Sequence, residues 1–89
     1  MTSTMNQEIE APIRNFIATN LLYSKDGFNY PDNASLLREG IIDSLGVVEL
    51  VEFLQSKFNV KVEQQEVRPD NCDSVANMAA FVRRKTGAA

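Results

Sequence analysis

The stretch from Ser44 to Phe58 sets apolar residues at helical spacing, and nothing elsewhere in the chain supplies a pair of strands to build a sheet around it. Leu50, Leu54 and Phe58, joined by Val47 and Val51, form the stripe that faces a core, while Leu45, Val48, Glu49 and Glu52 fall largely away from it. A helix of this kind must lay its stripe against other helices. Two more are legible. Ile9, Ile13, Phe16, Ile17 and Leu21 share one face of a first helix that reaches about Leu22. Its start is open: near Ala11 with Pro12 in the first turn, or near Met5 with a bend, since Thr4 and Gln7 stand in capping-box register. A last helix, capped by Asp73 or Ser74, runs to about Lys85 with Val75, Met78, Ala79, Phe81 and Val82 inward. The Arg83-Arg84-Lys85 run suits its negative end, and Gly87 stops it.

The connections differ in length. Tyr23 to Glu39 reads as a long first loop with turns at Ser24-Lys25-Asp26-Gly27 and Tyr30-Pro31-Asp32-Asn33, anchored by Phe28, Leu36, Leu37, Ile41 and Ile42. After Asn59 the alternation Val60-Lys61-Val62-Glu63 could be a strand, but it has no partner and reads as an extended link. Glu63 to Val67 can form one short helical turn, and Pro69 to Cys72 reads as a connection. The expected class is all-α, a single domain over residues 1–89 with an ordered core of about 5–86. It holds three main helices, a short one before the last, and a long loop between the first two.

A chain of 89 residues has little room for an enclosed substrate pocket beside its core. Between Asp32 and Asp73 nine acids face four bases, a local balance of −5 within a net charge of −3. That sign excludes nucleic acid and favours basic protein partners. The one cysteine, Cys72, makes neither an internal disulfide nor a zinc site. With no secretion-type leader and no long apolar run, no membrane insertion is expected, and the expected setting is cytoplasmic.

Little chemistry is available to Ser44, which stands where the loop hands over to the strongest helix. The chain has no histidine to activate it, Ile42 occupies the position where a nucleophile elbow needs glycine, and the lysines are isolated from it. Glu49 and Glu52 stand one turn apart on a helix surface, and nothing in the sequence suggests the burial that acid–base work by a carboxylate pair requires. Asp26 and Asp32 lack the calcium-loop pattern, and no glycine-rich phosphate loop is present. No catalytic residue and no metal ligand is expected. Ser44 is then either a plain helix cap shared with Asp43, or a place where something is attached. In the second case Asp43 can hold a cation for the modifying enzyme, and Leu45 and Val48 offer apolar contacts beside it.

Glu39-Gly40-Ile41-Ile42-Asp43-Ser44-Leu45, followed by Val48-Glu49-Leu50-Val51 and Phe58, resembles the acyl carrier protein family, with its Asp-Ser-Leu motif at the start of a second helix. The likeness covers roughly residues 5–85. It implies a small four-helix bundle without enzymatic activity. It implies 4'-phosphopantetheine attached to Ser44, flanked by Asp43 and Leu45, and a partner surface of Leu45, Val48, Glu49 and Glu52. It also implies a phosphopantetheinyl transferase, a ligase that loads an acyl or aminoacyl cargo, and downstream acyl-processing enzymes of fatty-acid, polyketide or specialised lipid synthesis, served by a monomer. An aminoacyl or peptidyl carrier is the alternative, and an unmodified helical adaptor the rival. Gly46 departs from the family, since fatty-acid carriers usually have an acid there. So do Lys57 and the basic C-terminal run, and the wording is closer to stand-alone carriers of specialised pathways.

Overall fold

Pro12 decides how the first helix begins. In the computed structural model, which describes residues 9–87, α1 spans Glu10–Phe16 and holds Pro12 in its first turn, where a missing N–H costs no helical bond. The Thr4–Gln7 register lies outside the described residues. From Ile17 to Leu21 the helix widens into a π turn, with the Leu22 N–H donating to the Ile17 carbonyl at 2.9 Å. Tyr23 then stops it with φ 53°, a left-handed backbone at a residue that is not glycine.

Helix α2 spans Ser44–Phe58 and ends on Asn59, also left-handed at φ 56°. The short third helix is not where the sequence suggests. Glu63 to Val67 yields only a 3₁₀ turn at Gln64–Glu66, and the α-helical turn, α3, is Pro69–Cys72, the segment read as a connection. Proline explains the shift. It holds Arg68 extended, at φ −137° and ψ 157°, and its own fixed φ suits the first position of a helix. Helix α4 spans Val75–Thr86, capped by Ser74 accepting from the Asn77 N–H at 3.0 Å and closed by left-handed Gly87. No strand occurs among the described residues, and Val60 to Glu63 is an extended link. The described residues form an all-helical bundle of four α-helices.

Ile13, Ile17, Leu36, Leu50, Leu54, Val75, Met78 and Val82 are fully enclosed, and Phe16 stacks on Phe53 with centroids 4.4 Å apart. The stripe on α2 is the one its periodicity gives: Leu50 and Leu54 are buried, while Val47, Val51 and Phe58 pack at the edge. The long loop is held at Asp32, whose carbonyl accepts from the Ala76 N–H at 2.9 Å, and by a clasp at Leu36. Leu36 is buried, its N–H donates to the Asp73 carbonyl at 2.7 Å, and its carbonyl accepts from the N–H groups of Ile41 at 2.8 Å and Ile42 at 3.2 Å. Ile41 and Ile42 are buried as expected and Phe28 packs partly, but Leu37 is exposed and anchors nothing. Its N–H reaches the Asp73 carboxylate at 3.3 Å, so the segment turns that side chain outward.

The basic C-terminal run is tied back to the bundle. Arg83 makes a bidentate pair with Glu10 at 2.8 and 2.9 Å, Lys85 pairs with Glu66, and Arg84 donates to Asn71. Arg14 grips Asp32 of the loop in the same bidentate way. These donors hold the Glu10 and Asp32 carboxyls below their usual range. Glu66 is lowered first by the Glu63 N–H and then by Lys85. Depressed carboxylates contribute stability that is present above the unfolded pKa, near 4, and is lost as pH falls through the folded values. The melting temperature should therefore hold steady from neutral pH to about 5 and fall below about 4. The double variant Glu10→Gln, Asp32→Asn should start lower and fall less steeply, as followed by circular dichroism.

Candidate functional site

At the loop–helix junction, Asp43 is the cap. Its backbone is extended, and its carboxylate accepts from the Gly46 N–H at 2.9 Å. Ser44 is consequently the first residue inside α2, exposed, and its hydroxyl bonds to no protein group among the described residues. The side-chain cap bond is therefore Asp43's, and the Ser44 hydroxyl does not hold the helix. A free hydroxyl beside first-turn N–H groups can carry an anionic substituent without giving up a structural bond.

Around it, Leu45 is 65% exposed and Val48 51%, large apolar side chains in water on one side of the helix, with Glu49 and Glu52 exposed among them. The four expected partner residues thus share the outward face. Gly46 does not belong to that face. It is buried, and a Cβ there would lie 3.1 Å from the Ile42 Cβ and 3.6 Å from a Leu21 methyl. The absent acid is explained by the close approach of the first helix to α2, which no short sequence pattern reveals.

Pairing elsewhere sharpens the charge. The ion pairs among the described residues use Glu10, Asp32, Glu63, Glu66 and Asp70. Glu39, Asp43, Glu49 and Glu52, which stand along the approach to Ser44 and beyond it, are in none of them. Arg14, Lys61, Arg68, Arg83 and Lys85 are spent in pairs away from the junction, which leaves its carboxylates a net negative field.

Two of the cavities beside α2 bear on the site. An open cleft of about 460 Å³ runs between the π turn and the start of α2, with Asn20, Leu21 and Tyr23 on one wall and Ile41, Leu45 and Glu49 on the other. Asn20, Leu21 and Tyr23 carry no motif, and sequence reasoning gives them no role beyond Leu21 as a packing residue. The second, of about 90 Å³, is mostly apolar and lies between α2 and α3, lined by Leu37, Val47, Val67 and Cys72. Burial pushes the Cys72 thiol up, which keeps it protonated and unreactive. Among the described residues no cluster of His, Cys, Asp or Glu is placed to hold a metal, and no helix is long and apolar enough to cross a membrane.

Comparison with known proteins agrees with this geometry. The family described as "phosphopantetheine attachment site" matches residues 11–82. A probable acyl carrier protein, PigG, of Serratia sp. is 35% identical over 77 residues, covering 85% of this chain and 86% of the relative.

Proposed function

The chain belongs to the acyl carrier protein family, whose members are carriers rather than enzymes and bear 4'-phosphopantetheine covalently, and we propose that the arm is attached at Ser44 and that the cargo is an acyl group. The single observation that carries the site is the transfer of the capping role to Asp43, which leaves the Ser44 hydroxyl exposed and uncommitted. The residues fit the group: the hydroxyl stands in solvent at the positive end of a helix, and no buried side chain must move to admit a phosphodiester. When bound, the arm supplies a thiol that holds a carboxylic acid as a thioester. Asp43 fixes the turn that presents the hydroxyl, and its exposed carboxylate can hold a divalent cation for the transferase.

Leu45, Val48, Glu49 and Glu52 form the docking surface for the transferase and for acyl-processing enzymes in this reading. The two apolar side chains supply desolvated contact, and the carboxylates steer basic partners toward it. The relative's name supports acyl over aminoacyl cargo. A cytoplasmic setting goes with it, supported by the lone, unpaired cysteine.

Attachment is tested by incubating the full chain with coenzyme A and a broad-specificity phosphopantetheinyl transferase, then measuring intact mass and mapping the modified peptide. One added arm on Ser44 is the expected result, and an arm on any other residue overturns the assignment. The steering role has its own readout. Reversing both Glu49 and Glu52 to Lys should slow transferase loading by about tenfold at low salt. Raised salt should slow the wild type and leave the variant nearly unchanged. Equal rates for both would make these carboxylates a solvated surface and nothing more.

A further inference from the structure

The large cleft beside the junction shares Leu45 and Glu49 with the docking surface described above, and its other wall, at Asn20, Leu21 and Tyr23, lies outside that surface. It begins one residue from Ser44 on either side, since Asp43 and Leu45 both line it, so a group on the Ser44 hydroxyl starts at its rim. Its volume of about 460 Å³ lies within the range of small-molecule sites, roughly 300–1,000 Å³. Its lining alternates in character: the Asn20 amide and the Asp43 and Glu49 carboxylates offer hydrogen-bonding groups, and Leu21, Ile41 and Leu45 offer hydrocarbon. An alkyl chain gains nothing from such a wall and would be better served by the small apolar pocket at α3. Phosphopantetheine has the matching pattern, a branched hydrocarbon followed by two amides.

Tyr23 adds an independent observation. It stands at the mouth of this cleft, 82% exposed, on a left-handed backbone that ordinarily disfavours a large side chain. The π turn before it sets both the wall position of Leu21 and the outward placement of the ring.

Resting on the attachment reading, we propose that the arm, when not engaged by an enzyme, lies back in this cleft between the π turn and α2, with Asn20 hydrogen-bonding its amides and the Tyr23 ring covering it. The negative rim at Asp43 and Glu49 keeps the phosphate outside and accepts from the amide N–H groups. Glu49 thereby has two uses, one toward the arm and one toward the partner. Docking of a basic partner on Glu49 then competes with the resting position and helps release the arm.

Nuclear magnetic resonance on the full chain, apo and after transferase treatment, tests this. The expected result is an intact mass with one arm, together with contacts from its geminal methyls to the methyls of Leu21 and Ile41. The Asn20 side-chain amide should shift as much as the amides next to Ser44. Tyr23→Gly suits the backbone at that position, so the amide spectrum should stay native while those contacts weaken at least twofold. Asn20→Ala should abolish the contact nearest its amide. A mass gain mapped to Ser44 with shifts confined to residues 43–47, or with contacts at the α3 pocket, overturns the cradle and leaves the attachment standing. Contacts unchanged in both variants also overturn it. Absence of any mass gain overturns the attachment, and the cradle with it.

Discussion

Ser44→Ala should take up no arm and should melt where the wild type melts. The first half follows from chemistry: alanine has no oxygen to accept the phosphodiester, and the neighbouring residues offer no hydroxyl, since Asp43 and Leu45 flank it. The second half follows from the cap. The bond that secures the start of α2 runs from the Gly46 N–H to Asp43, and Ser44 makes none. An exposed substitution away from such features shifts stability by no more than about 0.5 kcal/mol. Asp43→Ala provides the contrast. It removes the acceptor of the Gly46 N–H and should cost about 0.5–2 kcal/mol, while leaving a hydroxyl that can in principle be modified. Intact mass and thermal unfolding on the two variants separate the roles. Were Ser44→Ala to lose stability and Asp43→Ala to lose none, the serine would be the cap and the unmodified adaptor would become the better reading. An equal mass gain on Ser44→Ala would end the attachment proposal outright.

Leu36→Ala should be the most damaging single change outside the helices. Leu36 is fully enclosed, and truncating a buried leucine costs about 2–5 kcal/mol. Whole domains of this kind are stable by only about 5–15 kcal/mol. The melting temperature should fall by at least about 8 °C, given roughly 4–8 °C per kcal/mol at this size. The effect should also reach function, because the same residue organises the approach to Ser44. Its carbonyl binds the Ile41 and Ile42 N–H groups, and its N–H binds the Asp73 carbonyl before α4. Loosening it frees the segment that delivers the serine, so transferase loading should slow even below the melting temperature. Leu37→Ala is the control, exposed and expected within about 0.5 kcal/mol of wild type. Similar melting of the two variants would show that the loop is not clasped at Leu36.

The helices were legible because their stripes are regular: Leu50 and Leu54 on α2, and Val75, Met78 and Val82 on α4, are buried as their spacing requires. The family was legible from one motif in its helical setting. What escaped were features set by contacts between elements. The backbone at Pro69 draws the short helix downstream of Glu63 to Val67, because a proline that breaks one segment is equally fit to begin the next. The burial of Gly46 depends on Ile42 and Leu21 approaching from two other elements. Asp43 and Ser44 were both acceptable caps by residue type, and only the geometry of the turn chooses. The wall formed by Asn20 and Tyr23 depends on a π turn, for which the sequence has no marker.

The distribution of ion pairs has a consequence for how such a carrier can change its partners. Among the described residues, the ion pairs that tie segments together lie away from the exposed face of α2: Arg83 with Glu10, Arg14 with Asp32, Lys85 with Glu66. Residues 45, 48, 49 and 52 share no partner with them. Substitutions at sites without common contacts act nearly additively. On the docking reading proposed above, the surface that selects enzymes can therefore drift, or be exchanged for that of another pathway, with little loss of stability to compensate elsewhere. A chain built this way can be recruited to new biosynthetic routes by a few surface replacements on an unaltered scaffold.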